Sequence, residues 1–546
     1  MIVRTRTAEK NVGAPIVHRS RLAQSTLLLA AIVLIVCRIY DNDIALGTGA
    51  PGGNILLNAD SLLPAQFIQD LMHHAHAWTG FQLPRVPSLF PDLLVEGIVQ
   101  AITGSWRIGY LAYVVFLLAL LAAVAVLVID ATLRCGALAG SMIFLGVAIP
   151  VLAIELATPA LFVLHVNTFV LATHGGQLCL SILLLYLVWR LCNRPSLANH
   201  VLVFGIGAAA VLSDRLSCVT YVGPAIAGIC WVHWRGMLDR RRAAWALFTV
   251  IASAIAGWML LAGLHTQPAL PIDRRPWRHV FIFLAELRLL LATEPLAWLI
   301  AVAPLLSFIA TRPGMVLRAA GKRTALTDAM EFWWIVASTA SVAGIGATAL
   351  LYNDMPSYRY AGAALWWPLI MTSLALARLL GRRIGAIGTA GLGAIVLALG
   401  IASGAMPPRL MSWRNTLTDC LMRARHTAGL HAGLAEYWFA RPIAAGSDWT
   451  LHVDQVTPDG RARYWGNNRF SFIDDDGNGP PAYNFFVMAG MDRRIVSERY
   501  GAPVRTLACD GAEIWIYDDP SKLRDALVRN SPDLRATFEL AAPSGR

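Results

Sequence analysis

The chain has 546 residues, of which 56% are hydrophobic and only 14% charged, with a formal net charge of +11. An ordinary soluble chain is about 25% charged, so this one has too little polar surface to cover itself in water. From about residue 405 onward acids and bases balance, so the basic excess belongs to the first four hundred residues, in short clusters between apolar runs. That pattern fits anchoring of membrane helices and speaks against a nucleic-acid partner.

Eleven apolar stretches, each near the ~20 residues that cross a hydrocarbon core, run at about 22–40, 108–130, 136–157, 178–192, 198–213, 217–234, 243–264, 289–310, 330–352, 361–378 and 384–404. The fifth and sixth are short. The first follows a basic N-terminal stretch, 1–21, with Arg4, Arg6, Lys10, Arg19 and Arg21. No small-x-small cleavage motif comes directly after it, so it reads as a retained anchor. With the N-terminus inside, the inner connectors receive Arg134, Arg190, Arg194, Arg235, Arg240–Arg242, Arg312, Arg318, Lys322, Arg323, Arg378, Arg382 and Arg383. The outer connectors hold fewer than half as many cations, as the positive-inside rule requires. An odd count then sends the tail, 405–546, to the outer side.

Two segments are neither spans nor short links. The large first loop, 41–107, mixes apolar runs with Asp60, Asp70, the histidines His73, His74 and His76, and Pro84, Pro87 and Pro91. It is expected to lie on the membrane surface as amphipathic helices broken by prolines. In the tail, Thr450–Val456 alternates and Glu513–Tyr517 reads as a strand. Asp519-Pro520 and Ser531-Pro532 are helix starts, and a further helix runs from about Asn415 toward Gly429. The tail is therefore a small soluble α+β domain. Cys420 and Cys509 are its only cysteines, and the natural disulfide pair if it faces an oxidising compartment. The other six cysteines lie in or beside apolar runs and behave as small hydrophobes.

Ionisable residues near lipid are costly, at about 2.5–3.5 kcal/mol for a central charge, so their placement is informative. Here they fall at the outer ends of spans: Asp60 and Asp92 in the first loop, then Glu155, His165, His174, Asp214, Arg215, Asp354 and Arg359. Chemistry, where it occurs, belongs to that face. Each residue also has a plainer reading. Asp60 and Asp92 suit helix starts, Asp214-Arg215 a self-satisfied ion pair, and Arg359-Tyr360 an interfacial anchor. Gly175-Gly176 after His174 suits either a close backbone approach or a turn. The histidines of the first loop read better as a solvated face than as a metal site. Asp474-Asp475-Asp476-Gly477-Asn478-Gly479 opens like a calcium loop, but Phe485 stands where the closing acid belongs, so it reads as a turn. Gly47–Gly53 lacks the Gly-Lys-Ser/Thr ending of a nucleotide loop.

The stretch Asn58-Ala59-Asp60-Ser61-Leu62, followed by Leu83-Pro84 and Phe90-Pro91-Asp92, resembles the first extracytoplasmic loop of the GT-C type glycosyltransferases. His174-Gly175-Gly176, Ser213-Asp214 and Asp354 with Arg359-Tyr360 are similar to loop-edge motifs of bacterial relatives of that group. Gly433–Trp438 and Tyr483-Asn484-Phe485 are similar to segments of their outer C-terminal domain. The resemblance is one of layout and short motifs, and it departs at Asp60, which Ala59 and Ser61 flank where the family often has adjacent acids. It implies an enzyme of the bacterial inner membrane with a GT-C-like bundle, passing a sugar from a polyprenyl-phosphate carrier to an envelope glycan or lipid acceptor. Asp60 is then the candidate base, and Arg359, Arg215, His174 and Asp92 the candidates for binding substrate. Asp214 is a candidate ligand for a divalent cation, if one takes part. Two other readings stand beside it: a transporter or flippase of envelope precursors, with ionisable groups at midplane and two related halves, and a non-catalytic scaffold of envelope assembly.

Overall fold

The computed structural model describes residues 30–44, 56–73, 77–161, 164–264, 266–267, 276–310, 325–350, 358–380, 391, 409–473 and 481–534. Its first part is a bundle of apolar helices. Six of them are long and apolar enough to cross a membrane: Trp106–Leu133, Ala137–Ala157, Gly175–Asn193, Arg240–Ala262, Asp328–Leu350 and Tyr358–Arg378. The chain is thus a multi-pass membrane protein by the length and composition of its helices, and its described residues hold six such spans where eleven were expected. The stretches expected at 198–213 and 217–234 are the shorter apolar helices Leu197–Ser213 and Cys218–Trp234. The stretch expected at 289–310 is not one helix. A helix at Pro276–Thr293 ends at Glu294, whose extended backbone precedes Pro295 and a new helical start. Proline cannot continue the preceding hydrogen-bond ladder, which composition alone does not register. Of the first expected span, a helix is described over 30–44, and 384–404 lies outside the described residues apart from Gly391. The parity argument that sent the tail outward therefore loses its footing.

In chain order the helices used below are α1 (30–44), α2 (Leu63–His73), α3 (Leu94–Thr103), α4 (Trp106–Leu133), α5 (Ala137–Ala157), α6 (Gly175–Asn193) and α7 (Leu197–Ser213). They continue with α8 (Gly223–Trp234), α9 (Arg240–Ala262), α10 (Pro276–Thr293), α11 (Ala303–Ala310), α12 (Ala325–Leu350) and α13 (Gly362–Leu380). The bundle interior is aromatic, with Trp333, Trp366, Tyr110, Tyr113 and Phe144 all fully buried. Its outside is apolar too: Val201 and Phe204 on α7, and Phe248, Ile255 and Met259 on α9, are exposed, as lipid-facing surfaces are. Arg134, Arg190 and Arg194, at the ends of α4 and α6, line one cavity of about 1150 Å³ with Asp130 and Asp328. The opposite ends of the same two helices carry the first loop and His174. The two sets of connectors are thus segregated to opposite ends of the bundle.

The tail folds as helices α14 (Thr416–Ala428), α15 (Tyr437–Gly446), α16 (Arg493–Tyr500) and α17 (Pro520–Asn530) around a five-stranded sheet. Strands are numbered along the whole chain: β1 (Phe81–Gln82), β2 (Ala432–Glu436), β3 (His452–Val456), β4 (Asn467–Asn468), β5 (Tyr483–Val487), β6 (Arg505–Cys509) and β7 (Ala512–Ile516). The sheet order is β3-β2-β5-β7-β6, with β2 parallel to β3 and β5 and the last two strands antiparallel. The local signals behave as expected. Asn415 caps α14 through Thr418 N and Gly429 ends it in the left-handed region, while Asp519 caps α17. Ser531-Pro532 opens a helical segment described over 532–534. A disulfide joins Cys420 to Cys509, tying α14 to the end of β6.

The first loop does not simply lie on the membrane. α3 has a free apolar edge, Leu94, Ile98 and Ile102 at successive turns, and α2 exposes Leu71 and Met72 near its end. α2 is buried against the tail, where Arg441 of α15 donates to Gln66 at 2.6 Å and Gln66 donates to Asn467 at 2.8 Å. β1 pairs antiparallel with β4, Phe81 opposite Asn468. At the start of α4, Arg107 pairs with Asp448 and donates to Trp413 O at 3.0 Å. The first loop and the tail therefore close over one end of the bundle as a unit, because each supplies backbone partners the other lacks.

Candidate functional site

Asp60 sits at the seam between loop, bundle and tail. The Asn58 side chain accepts from Asp60 N (2.9 Å) and Ser61 N (3.0 Å), and Ser61 Oγ closes the turn back onto Asn58. Asn58 thus caps the turn in place of Asp60. The Asp60 carboxylate is left to accept from the Tyr437 hydroxyl on one oxygen and from Arg359 Nη1, at 3.5 Å, on the other. Buried Arg441 fixes the turn from behind, donating to the carbonyls of Ala59 and Gly466.

His174 enters from the start of α6. Its Nδ1 meets Asp214 Oδ2, and Asp214 Oδ1 accepts from Leu216 N at 2.8 Å, so both carboxylate oxygens are engaged. The carboxylate on Nδ1 fixes the orientation of the ring. The ring packs on Tyr360 with centroids 4.7 Å apart. Two glycines make this posture possible. A Cβ on Gly175 would stand 1.8 Å from Thr168 O, and one on Gly176 would stand 2.2 Å from Asp92 Oδ2. Gly175-Gly176 is therefore a site of close approach. Ser88 N and Phe90 N donate to Ser213 O and Oγ at 3.0 and 2.8 Å, which docks the first loop beside Asp214.

These pieces surround a cavity of about 340 Å³ lined by Asp60, His174 and Arg359, and also by Arg85 and Arg463. The Arg359 guanidinium lies 5.4 Å from the Tyr360 ring centre, and its Nε has no hydrogen-bond partner among the described residues. Arg463 stacks 4.0 Å over Tyr437 and stands 4.0 Å from Glu436. Burial and the neighbouring charges of Arg463 and Arg215 lower the pKa of Arg85, with Tyr360 acting the other way. Several cations thus crowd one small space. Like charges held together in a half-buried cleft favour an anion between them. Tyr360, Tyr437, Trp438 and Trp465 supply aromatic walls.

Of the residues singled out in the sequence, Asp60, His174 and Arg359 share this cavity. Asp214 reaches it through His174, in the role of orienting that ring. Arg215 stacks over Trp258 at 5.5 Å and feels the charge of Arg85. Asp92 is not a lining residue. It is buried beneath, accepting from Tyr113 Oη at 2.5 Å and Ala172 N at 3.3 Å, and burial pushes its pKa up to about 7. Glu155 and His165 form a fully buried pair inside the bundle. Asp354, the histidines 74 and 76, the 474–479 turn and the 47–53 glycine run lie outside the described residues. Among the described residues no three His, Cys, Asp or Glu side chains gather as metal ligands. Asp60 and Asp214 each face a cation or a ring nitrogen, so this donor set does not fit a divalent cation.

Sequence reasoning missed Arg85, Tyr437 as a partner of Asp60, Arg441 and Arg463. Arg85 directly follows the Leu83-Pro84 pair, the one local hint. Tyr437 lies in the Gly433–Trp438 segment, which pointed to the tail but not to Asp60, and Arg441 and Arg463 carry no local signal, because α15 and the segment after β3 reach the loop only in three dimensions. The chain leaving the carboxyl end of parallel strand β2 delivers Tyr437 and Trp438 to the cavity, the usual position for sites on such sheets. No protein-family model matches the chain, and no curated protein matches it either.

Proposed function

We propose that this protein is a membrane glycosyltransferase of the GT-C type, moving a sugar from a polyprenyl-phosphate carrier to a glycan or lipid acceptor of the cell envelope. In this reading the cavity and the tail face outward from a bacterial inner membrane. The observation that carries it is one cavity holding a carboxylate, an Asp214-oriented histidine and three arginines at the end of an apolar helix bundle. Asp60 takes the proton from the acceptor hydroxyl, whose oxygen bonds to the sugar's anomeric carbon. The bond from that carbon to the phosphate oxygen breaks, and its electron pair leaves with the phosphate. Arg359, Arg85 and Arg463 stabilise the departing charge, guanidinium forks being suited to phosphate oxygens. The exposed apolar faces of the bundle are the natural ground for the prenyl chain.

A scaffold would not need Asp60 and Arg359 within 3.5 Å across a cavity, and this contact favours the enzyme over that alternative. The test compares Asp60→Asn with wild type in a strain where deletion alters surface glycans. Loss of the glycan with the protein still folded and inserted is expected. A fully complementing Asp60→Asn variant sinks the assignment, and substrate uptake by proteoliposomes lacking any glycosyl donor would favour the transporter.

A further inference from the structure

A second cavity, of about 410 Å³, lies between α2 and the opposite edge of the tail sheet, at the amino ends of β2 and β3. It falls within the size range of small-molecule sites. It shares a wall with the first. Arg441 bonds Gln66, which lines this second cavity, and the carbonyl of Gly466, which lines the first. Along α2 the two linings, at Leu63 and at Gln66 to His73, stand roughly 5–15 Å apart by helical rise.

Its lining offers donors and acceptors side by side. Arg425 is half-buried, and its guanidinium has no hydrogen-bond or ion-pair partner among the described residues. The Trp449 indole N–H is buried without an acceptor among those residues. Trp449 and the preceding Asp448 both hold left-handed backbone, φ 61° and 55°, at the bend that brings the indole to this wall. Two consecutive non-glycine residues in that region are uncommon and accumulate where a site demands them. Gln69 and Asp70 add amide and carboxylate groups, and His452 is oriented by Asp454, Nε2 to Oδ2 at 2.7 Å. Asp454 in turn accepts from Ser471 Oγ at 2.6 Å and from Tyr483. A hydroxyl both gives and takes a hydrogen bond. A wall mixing guanidinium, amide, carboxylate and imidazole with one aromatic face suits a polyhydroxyl ligand better than an ion of either sign.

We infer that this second cavity is a saccharide site, holding sugar units of the acceptor away from the reacting hydroxyl. The choice of a sugar rests on the transferase reading, but binding can be measured without transfer. The full chain in lipid nanodiscs is titrated calorimetrically with maltotriose, chitotriose, a mannose trisaccharide and a galacturonic acid trisaccharide, using wild type, Arg425→Ala, Trp449→Phe and Asp60→Asn. At least one trisaccharide is expected to bind wild type and Asp60→Asn alike. Its affinity should fall at least tenfold in Arg425→Ala and measurably in Trp449→Phe. Arg425 has no side-chain partner to lose among the described residues, so its variant should keep the wild-type melting temperature, which is measured alongside. Failure of all four sugars to bind wild type overturns the inference. So does binding that survives Arg425→Ala and Trp449→Phe but disappears in Asp60→Asn, since that sugar would sit in the first cavity. Sugar binding here together with a fully active Asp60→Asn protein would keep the site and discard the transferase.

Discussion

Replacing Arg441 tests whether the tail holds the Asp60 turn in place. The side chain is only 2% exposed, and its guanidinium donates to Gln66 Oε1 and to the carbonyls of Ala59 and Gly466 while lying 5.4 Å from the Tyr437 ring centre. Truncation to alanine leaves two buried carbonyls and the half-buried Gln66 amide oxygen without their donor. Hydrogen bonds to a charged group contribute about 1.5–3 kcal/mol each, and water entering the gap recovers part of that. The expected net loss is about 4 kcal/mol, in the range for removing one partner from a buried charged network. Arg441→Lys keeps the charge but not the fork, and should recover less than half. The assay is amide hydrogen exchange on the full chain in nanodiscs, read over residues 58–66 and, as a control, over the α4–α6 interior. Exchange near Asp60 should accelerate by two to three orders of magnitude, since every 1.4 kcal/mol is about tenfold, with the control unchanged. Acceleration of less than about fivefold, or equal acceleration in the control, refutes the idea that Arg441 acts locally on this turn.

Four further outcomes follow from the structure. Asp92 has a folded-state pKa of about 7 against 3.8 for the free side chain. The folded state therefore holds a proton that the unfolded chain has released. Stability should fall as pH rises from about 4 to 7, and Asp92→Asn should flatten that slope in melts across the window. Glu96, with a pKa of about 8 from burial, acts in the same direction, so Glu96→Gln should remove part of what remains. Serine at Cys420 opens a crosslink spanning 89 residues, which chain entropy values at about 4–5 kcal/mol. Limited proteolysis should then attack the tail well before the bundle. Gly176→Ala drives a methyl to 2.2 Å from Asp92 Oδ2 and 2.5 Å from Pro91 Cδ. The overpacking should cost about 2–3 kcal/mol in thermal unfolding, with loss of function through displacement of the adjoining His174.

What the sequence alone determined is what depends on neighbours along the chain. Apolar length and scarce charge dictate membrane helices, since an unpaired backbone cannot cross lipid. Alternating side chains and capping residues located β3, β7, α14 and α17, because strand period and cap chemistry act within a few residues. Two cysteines in a polar tail sufficed to name the crosslink. Span number was a different matter. Whether an apolar stretch becomes one long helix, a short one or a broken one depends on where proline interrupts it and on what packs beside it, as Glu294-Pro295 illustrates. The candidate site was half legible, because Asp60, His174 and Arg359 are polar groups set against lipid and stand out by cost. Arg85, Tyr437, Arg441 and Arg463 were not, nor was the retreat of Asp92 into the interior. Those placements arise only when distant segments come together, α2 with α15 around Arg441 and the first loop with α4 and α6 around Asp92, contacts that no local pattern encodes.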